Sequence, residues 1–137
     1  MKKISNLIIV LILVFTLTGC GYKKGDMYIT LTSNSSTGFS WQSSFSKEGI
    51  IELVGSNYEE PDNNGMVGVA GKETFRYKAL KEGEVTLTLK YKRQWEDDDE
   101  TTYRINYVIK VDSNLKMKAV SQEGEYNTYD VPVPVIK

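Results

Sequence analysis

The chain has 137 residues, with 17 Lys+Arg against 18 Asp+Glu, no His and one Cys. That length holds one ordinary domain, and 40% apolar with 26% charged residues is a normal globular composition. The near-neutral charge excludes nucleic acid as a main partner, the missing His removes the usual general base and the commonest metal ligand, and one Cys allows neither an internal disulfide nor a Cys-rich zinc site, so no cofactor and no metal are expected.

Residues 1–19 read as an export signal: Lys2 and Lys3 are basic, residues 7–17 are almost wholly apolar, and small residues follow. The apolar run falls short of the ~20 residues that a membrane-spanning helix needs. Leu17-Thr18-Gly19-Cys20 resembles the bacterial lipobox. The resemblance implies cleavage before Cys20 and lipidation of its sulfur, with palmitate or a similar chain. An ordinary secretory signal with an unrelated Cys is the alternative. Acyl chains, at ~0.8 kcal/mol per buried CH₂, would hold the domain on a membrane. The expected location is therefore the bacterial cell envelope, lipid-anchored and facing outside the cytoplasm. Residues 20–26 form the lipidated Cys and a short polar tether.

From Met27 onward the chain reads as all-β. Met27, Ile29 and Leu31 alternate with polar residues, a period of two. Phe39, Trp41 and Ser43 share one face of a second run, and residues 50–54 make a short third. Phe75, Tyr77 and Ala79 mark a fourth. Val85, Leu87, Leu89 and Tyr91 line the fifth, and Tyr103, Ile105, Tyr107, Ile109 and Val111 the sixth. Breakers rich in Gly, Pro, Asn, Ser and acids separate the runs. Several short antiparallel strands predict an immunoglobulin-like antiparallel β-sandwich of about seven strands, with no disulfide. Trp41 and the other aromatics would carry its core, each burying ~150–250 Å². The domain spans residues 27–113. Residues 114–137 form a C-terminal extension. Its alternate prolines, Pro132 and Pro134, forbid a central strand and allow an edge strand or a loose extended segment.

Antiparallel runs put alternate connections at one end of the sandwich. Residues 33–38, 61–71 and 93–100 then share a pole. The first is small and polar, with Gly38 able to take a positive φ. The second holds Gly65, Gly68 and Gly71. The third opens with Arg93-Gln94-Trp95 and continues as an acid run from Glu96 to Glu100. Trp and Arg are enriched among binding hot spots. Taken singly, each loop also has a plain conformational reading. The acid run lacks the spaced acids and Gly of an EF-hand calcium loop, so it reads as a solvated hairpin tip.

Together the loops carry a resemblance. Asn34-Ser35-Ser36-Thr37-Gly38-Phe39-Ser40-Trp41 resembles the Asn-Pro-Thr-Thr-Gly-(Tyr/Phe)-x-Trp motif of chagasin-type inhibitors of cysteine peptidases. Gly68-Val69-Ala70-Gly71 is similar to that family's Gly-x-Gly-Gly segment, and Arg93-Gln94-Trp95 to its Arg-Pro-Trp segment. The resemblance implies a non-enzymatic, reversible inhibitor of papain-like cysteine peptidases, acting as a monomer. Three loops would fill the active-site cleft. Thr37 and Gly38 would sit nearest the catalytic Cys, Gly68 to Gly71 along the unprimed side, and Arg93 and Trp95 on the primed side. The sequence departs from the motif at Ser35 and Gln94, where the family has Pro, at Ser36, where it often has Thr, and at Ala70, where it has Gly. Looser loops and weaker inhibition are expected from the lost prolines. The alternative function is an immunoglobulin-like surface lipoprotein in adhesion or envelope structure. A two-carboxylate enzyme is a third, for which no paired acids stand in a strand pattern.

Overall fold

The computed structural model describes residues 21–62, 64–97, 103–126 and 130–137. Residues 1–19, read from the sequence as an export signal, and Cys20 lie outside the described residues, as do Asp98, Asp99 and Glu100 of the acid run. Among the described residues eight strands are formed: β1 (Met27–Ser33), β2 (Phe39–Phe45), β3 (Ile51–Glu59), β4 (Gly71–Ala79), β5 (Gly83–Arg93), β6 (Tyr103–Val111), β7 (Met117–Glu125) and β8 (Val135–Ile136). They make two four-stranded sheets, ordered β3-β4-β1-β8 and β2-β5-β6-β7. Every pairing is antiparallel.

The alternation seen in the sequence sets which residues face inward. Met27, Ile29 and Leu31 are buried from β1, Phe75 and Tyr77 from β4, Val85, Leu87 and Leu89 from β5, and Ile105, Tyr107 and Ile109 from β6. Each aliphatic side chain removed from water contributes about 1.5–3 kcal/mol. Trp41 is only 6% exposed. Its ring packs 4.9 Å from Tyr91 and 5.9 Å from Tyr126, and its Nε1 donates to the Thr32 carbonyl at 2.9 Å. That bond ties the start of the second sheet to the end of β1 in the first, a link between sheets made without a disulfide.

Two elements run further than the hydrophobic pattern suggests. β3 continues to Glu59 because a register shift between Leu53 and Gly55 breaks its alternation without ending its pairing to β4. β7 pairs with β6 over Met117–Glu125, although only Met117 is buried along it. From Tyr126 the chain crosses from the second sheet back to the first. Tyr107 Oη donates to the Pro132 carbonyl at 2.9 Å and Gln122 Nε2 to that of Val131 at 3.0 Å. Val135 and Ile136 then pair with Tyr28 and Met27 as an edge strand. Pro134 precedes this pairing, where its missing N–H costs no ladder bond.

The strand registers define two poles. Ser33 pairs with Gly71, and Phe39 with Arg93. The connections at residues 34–38, 60–70 and 94–102 therefore leave from the same pole. Tyr126 follows Glu125, which pairs with Arg104, so it reaches that pole too.

Candidate functional site

The first loop is a tight, capped turn. Residues Ser35–Thr37 form one turn of 3₁₀ helix. Asn34 Oδ1 caps it, accepting from Ser36 N at 3.2 Å and from Ser36 Oγ at 2.6 Å. Thr37 Oγ1 donates to the Asn34 carbonyl at 2.7 Å. Gly38 ends the turn at φ 77°, a left-handed conformation that side chains with a Cβ adopt at a cost of roughly 1–2 kcal/mol.

The neighbouring loops are joined to it directly. Asn34 Nδ2 donates to the Gly68 carbonyl at 3.1 Å, linking the first loop to the second. Arg93 Nε donates to the Thr37 carbonyl at 3.5 Å, linking the third to the first. A Cβ built on Gly38 would stand 2.9 Å from Cη2 of Trp95, so the edge of the indole abuts that glycine. The Arg93 guanidinium stands 4.5 Å above the Phe39 ring and 6.0 Å from the Trp95 ring. Arg93 Nη1 also pairs with Glu96 Oε1 at 3.0 Å, and the buried Lys92 donates from Nζ to the Glu96 carbonyl at 3.0 Å. Two cations thus hold Glu96, which fixes the start of the third loop.

Beneath the loops lies a layer of aromatic rings. Tyr91 stacks on Phe39 at 5.4 Å and on Tyr103 at 6.0 Å, and Tyr103 meets Tyr126 edge-on at 6.4 Å. Tyr91 Oη accepts from Asn34 N at 3.0 Å, and Tyr126 Oη accepts from Thr32 N at 2.6 Å. These rings, with Asn34, Thr37 and Ala70, line a shallow pocket of about 250 Å³.

The residues singled out from the sequence divide into three kinds. Ser35, Ser36, Thr37, Gly38, Gly68, Val69, Gln94 and Trp95 are exposed at the pole, Trp95 at 74%. Asn34, Phe39, Ala70 and Arg93 are half-buried and brace the loops from behind. Gly71 is buried: a Cβ there would strike the Glu59 carbonyl and stand 2.5 Å from Tyr58 Oη. It is the first residue of β4, and its side-chain space belongs to the fold. Sequence reasoning missed Tyr103, Tyr126, Lys92 and Glu96 as supports of the loops. It also missed the apolar tip of the second loop, where Met66 is exposed and Val67 is 97% exposed. Among the described residues no group of His, Cys, Asp and Glu is placed to hold a metal ion.

Residues 22–109 match the family model described as Chagasin family peptidase inhibitor I42. The chain belongs to the chagasin family. Amoebiasin-2 of Entamoeba histolytica is 31% identical to it over 81 residues, a span of 59% of this chain and 66% of that protein. The match thus takes in just under two thirds of Amoebiasin-2. The crystal structure of the cysteine protease inhibitor EhICP2 from Entamoeba histolytica is also similar, with a TM-score of 0.56 at 30% identity. That likeness covers 64% of this chain and 80% of the other. The chagasin family is one of peptidase inhibitors, not enzymes. The matched span runs through β1 to β6 and includes all three loops, and it stops before β7 and β8.

Proposed function

We propose that this protein is a reversible inhibitor of papain-like cysteine peptidases and that its three loops together fill the active-site cleft of the enzyme. The observation that carries the reading is the joining of loops distant in sequence into one braced edge. Asn34 reaches Gly68, and the edge of the Trp95 ring abuts Gly38. A rigid edge loses little conformational entropy when it enters a groove.

In this reading Thr37 and Gly38 approach the catalytic Cys. The exposed backbone of Thr37 and Gly38 comes close to the enzyme's sulfur without offering a scissile bond in the required geometry. Gly68, Val69 and Ala70 run along the unprimed side, where Gly71 sets the backbone course without making contact itself. Arg93, Gln94 and Trp95 cover the primed side, and the indole is the largest apolar surface available to the partner. Asn34, Ser35, Ser36 and Phe39 shape the central loop. No bond of the inhibitor is made or broken, so the site requires no nucleophile or general base. An adhesive or envelope-structural lipoprotein offers no reason for these loops to converge.

The N-terminal pattern supports a second part of the proposal: Cys20 is acylated after removal of residues 1–19, and the domain is held on a bacterial membrane outside the cytoplasm as a monomer.

Papain and a fluorogenic peptide test the function. Inhibition that is competitive with the peptide and fully reversed on dilution is expected. Absence of inhibition towards papain and towards a second papain-like enzyme would overturn the reading.

A further inference from the structure

The two poles of the sandwich differ in charge and in what emerges from them. At the loop pole Glu60, Asp62, Asp97 and Glu125 are exposed. The bases there are engaged or matched: Lys92 and Arg93 hold Glu96, Lys72 pairs in register with Glu59, and Arg104 with Glu125.

The opposite pole is rich in lysine. Lys23 and Lys24 precede β1, Lys116 and Lys118 flank the first residue of β7, and Lys137 follows β8. Backbone bonds gather these segments: Lys23 and Met117 exchange two at 2.8 Å, and Asp26 and Lys137 exchange two at 3.1 and 3.0 Å. The nearby acids are occupied. Asp26 pairs with Arg76 at 2.6 Å, and Asp112 accepts from the backbone of Asn114 and Lys116 at 2.9 Å. Glu48 and Glu82 lie in the turns across the pole, each beside a lysine, Lys47 and Lys81. Tyr22 and Leu115 stand exposed among the basic groups, with Lys118 Nζ 5.9 Å from the Tyr22 ring.

The chain leads from this pole to Cys20. Lys23 is fixed to β7, and three residues of extended chain reach no more than about 11 Å. An acylated Cys20 would bring the lysines within roughly a Debye length of the lipid surface.

We propose that this lysine-rich pole is a docking surface for anionic phospholipid headgroups, so that the domain stands upright with its three loops facing away from the membrane. The proposal rests on the reading of Cys20 as acylated. Each lysine near an anionic surface adds about fivefold to partitioning. The acidic loop pole is repelled by the same surface, so the charge asymmetry orients the domain as well as binding it. Tyr22 and Leu115 supply the amphipathic and apolar contacts suited to the headgroup layer.

The test uses the full-length protein purified from membranes. Leu115→Cys or Val67→Cys serves as the single free thiol and carries a fluorophore. Each is reconstituted into vesicles with brominated acyl chains, of phosphatidylcholine alone or mixed equally with phosphatidylglycerol. Quenching of the probe at position 115 should be severalfold stronger on the mixed vesicles. It should fall to the phosphatidylcholine level in high salt and in the Lys23→Glu/Lys116→Glu variant. The probe at position 67 should stay unquenched on both. Equal quenching at 115 on both vesicles, or quenching at 67, overturns the proposal. The mass of the Cys20 peptide reads the anchor separately: an unacylated Cys20 overturns the anchor and this proposal together. An acylated Cys20 with equal quenching overturns the docking surface alone.

Discussion

Trp95 lies against Gly38, its Cη2 atom 2.9 Å from where a Cβ on that glycine would stand. Two demands therefore meet at one residue. The turn needs a positive φ at residue 38, and the indole needs the space that a side chain would fill. Gly38→Ala should strain the backbone and displace Trp95 at the same time. Inhibition should weaken by well over tenfold. The double variant Gly38→Ala/Trp95→Ala should lose less than the sum of the two single losses, because the clash disappears with the indole. Strictly additive losses would show that the two residues act independently.

Asn34 serves the cap and the bridge with different atoms. Its Oδ1 caps the 3₁₀ turn, and its Nδ2 reaches the Gly68 carbonyl. Asn34→Asp keeps the cap and loses the bridge; Asn34→Ala loses both. Capping losses cost about 1 kcal/mol, so Ala should lower the melting temperature more than Asp does. Both should weaken inhibition, since both free the second loop. An Asp variant as potent as the parent would remove the bridge from the account.

The backbone at residues 35 and 94 suits the two prolines of the family motif. Ser35 opens the 3₁₀ turn, and Asn34 before it is extended at φ −123° and ψ 93°, clear of the α region that a following proline disfavours. Gln94 follows Arg93, whose carbonyl accepts from Glu96 N at 3.2 Å; it is the second residue of that turn, a position that favours proline. Ser35→Pro and Gln94→Pro should each stabilise the fold by ~0.4–1 kcal/mol and tighten inhibition. Inhibition constants unchanged in both variants would contradict this.

Two buried tyrosines should behave oppositely. Tyr77 Oη is buried without a hydrogen-bond partner; Ser43 is a polar neighbour, but no bond forms with it. Tyr107 Oη holds the Pro132 carbonyl. Tyr77→Phe should leave stability unchanged or raise it, and Tyr107→Phe should cost about 1 kcal/mol. Burial pushes both phenols above their ordinary range. The fold keeps them neutral while the unfolded chain ionises near pH ~10. Stability should therefore be full below that pH and fall as pH rises above it. Either Phe variant should fall less steeply, as denaturant melts from pH 8 to 12 would show.

Where one face of a strand is apolar, the sequence reveals it. Leu87 and Leu89, or Ile105 and Ile109, could be assigned to the core from their spacing alone, and Trp41 from its place between Phe39 and Ser43 on one face of β2. β7 could not, because Gln122, Glu123 and Glu125 lie outside the core and its pairing uses backbone atoms. The three loops were legible as Gly, Asn, Arg and Trp at strand ends. Their bracing was not. Tyr126 comes to lie beneath the first loop only because β7 carries it there, and nothing near it in the sequence marks that position. Gly71 read as a loop glycine, yet it is a packing position set by Glu59 and Tyr58, neighbours contributed by β3.

In the proposed mode of inhibition the exposed edge carrying Gly38 and Trp95 is what enters the peptidase. Inhibition constants for papain with the parent protein, Trp95→Ala and Leu115→Ala, the last at the opposite pole, decide whether it does. A buried hot-spot truncation costs at least about 2 kcal/mol, or roughly 30-fold. Trp95→Ala should lose that much, and Leu115→Ala should match the parent. Equal inhibition by all three, with the fold of each intact, would place the contact elsewhere on the molecule.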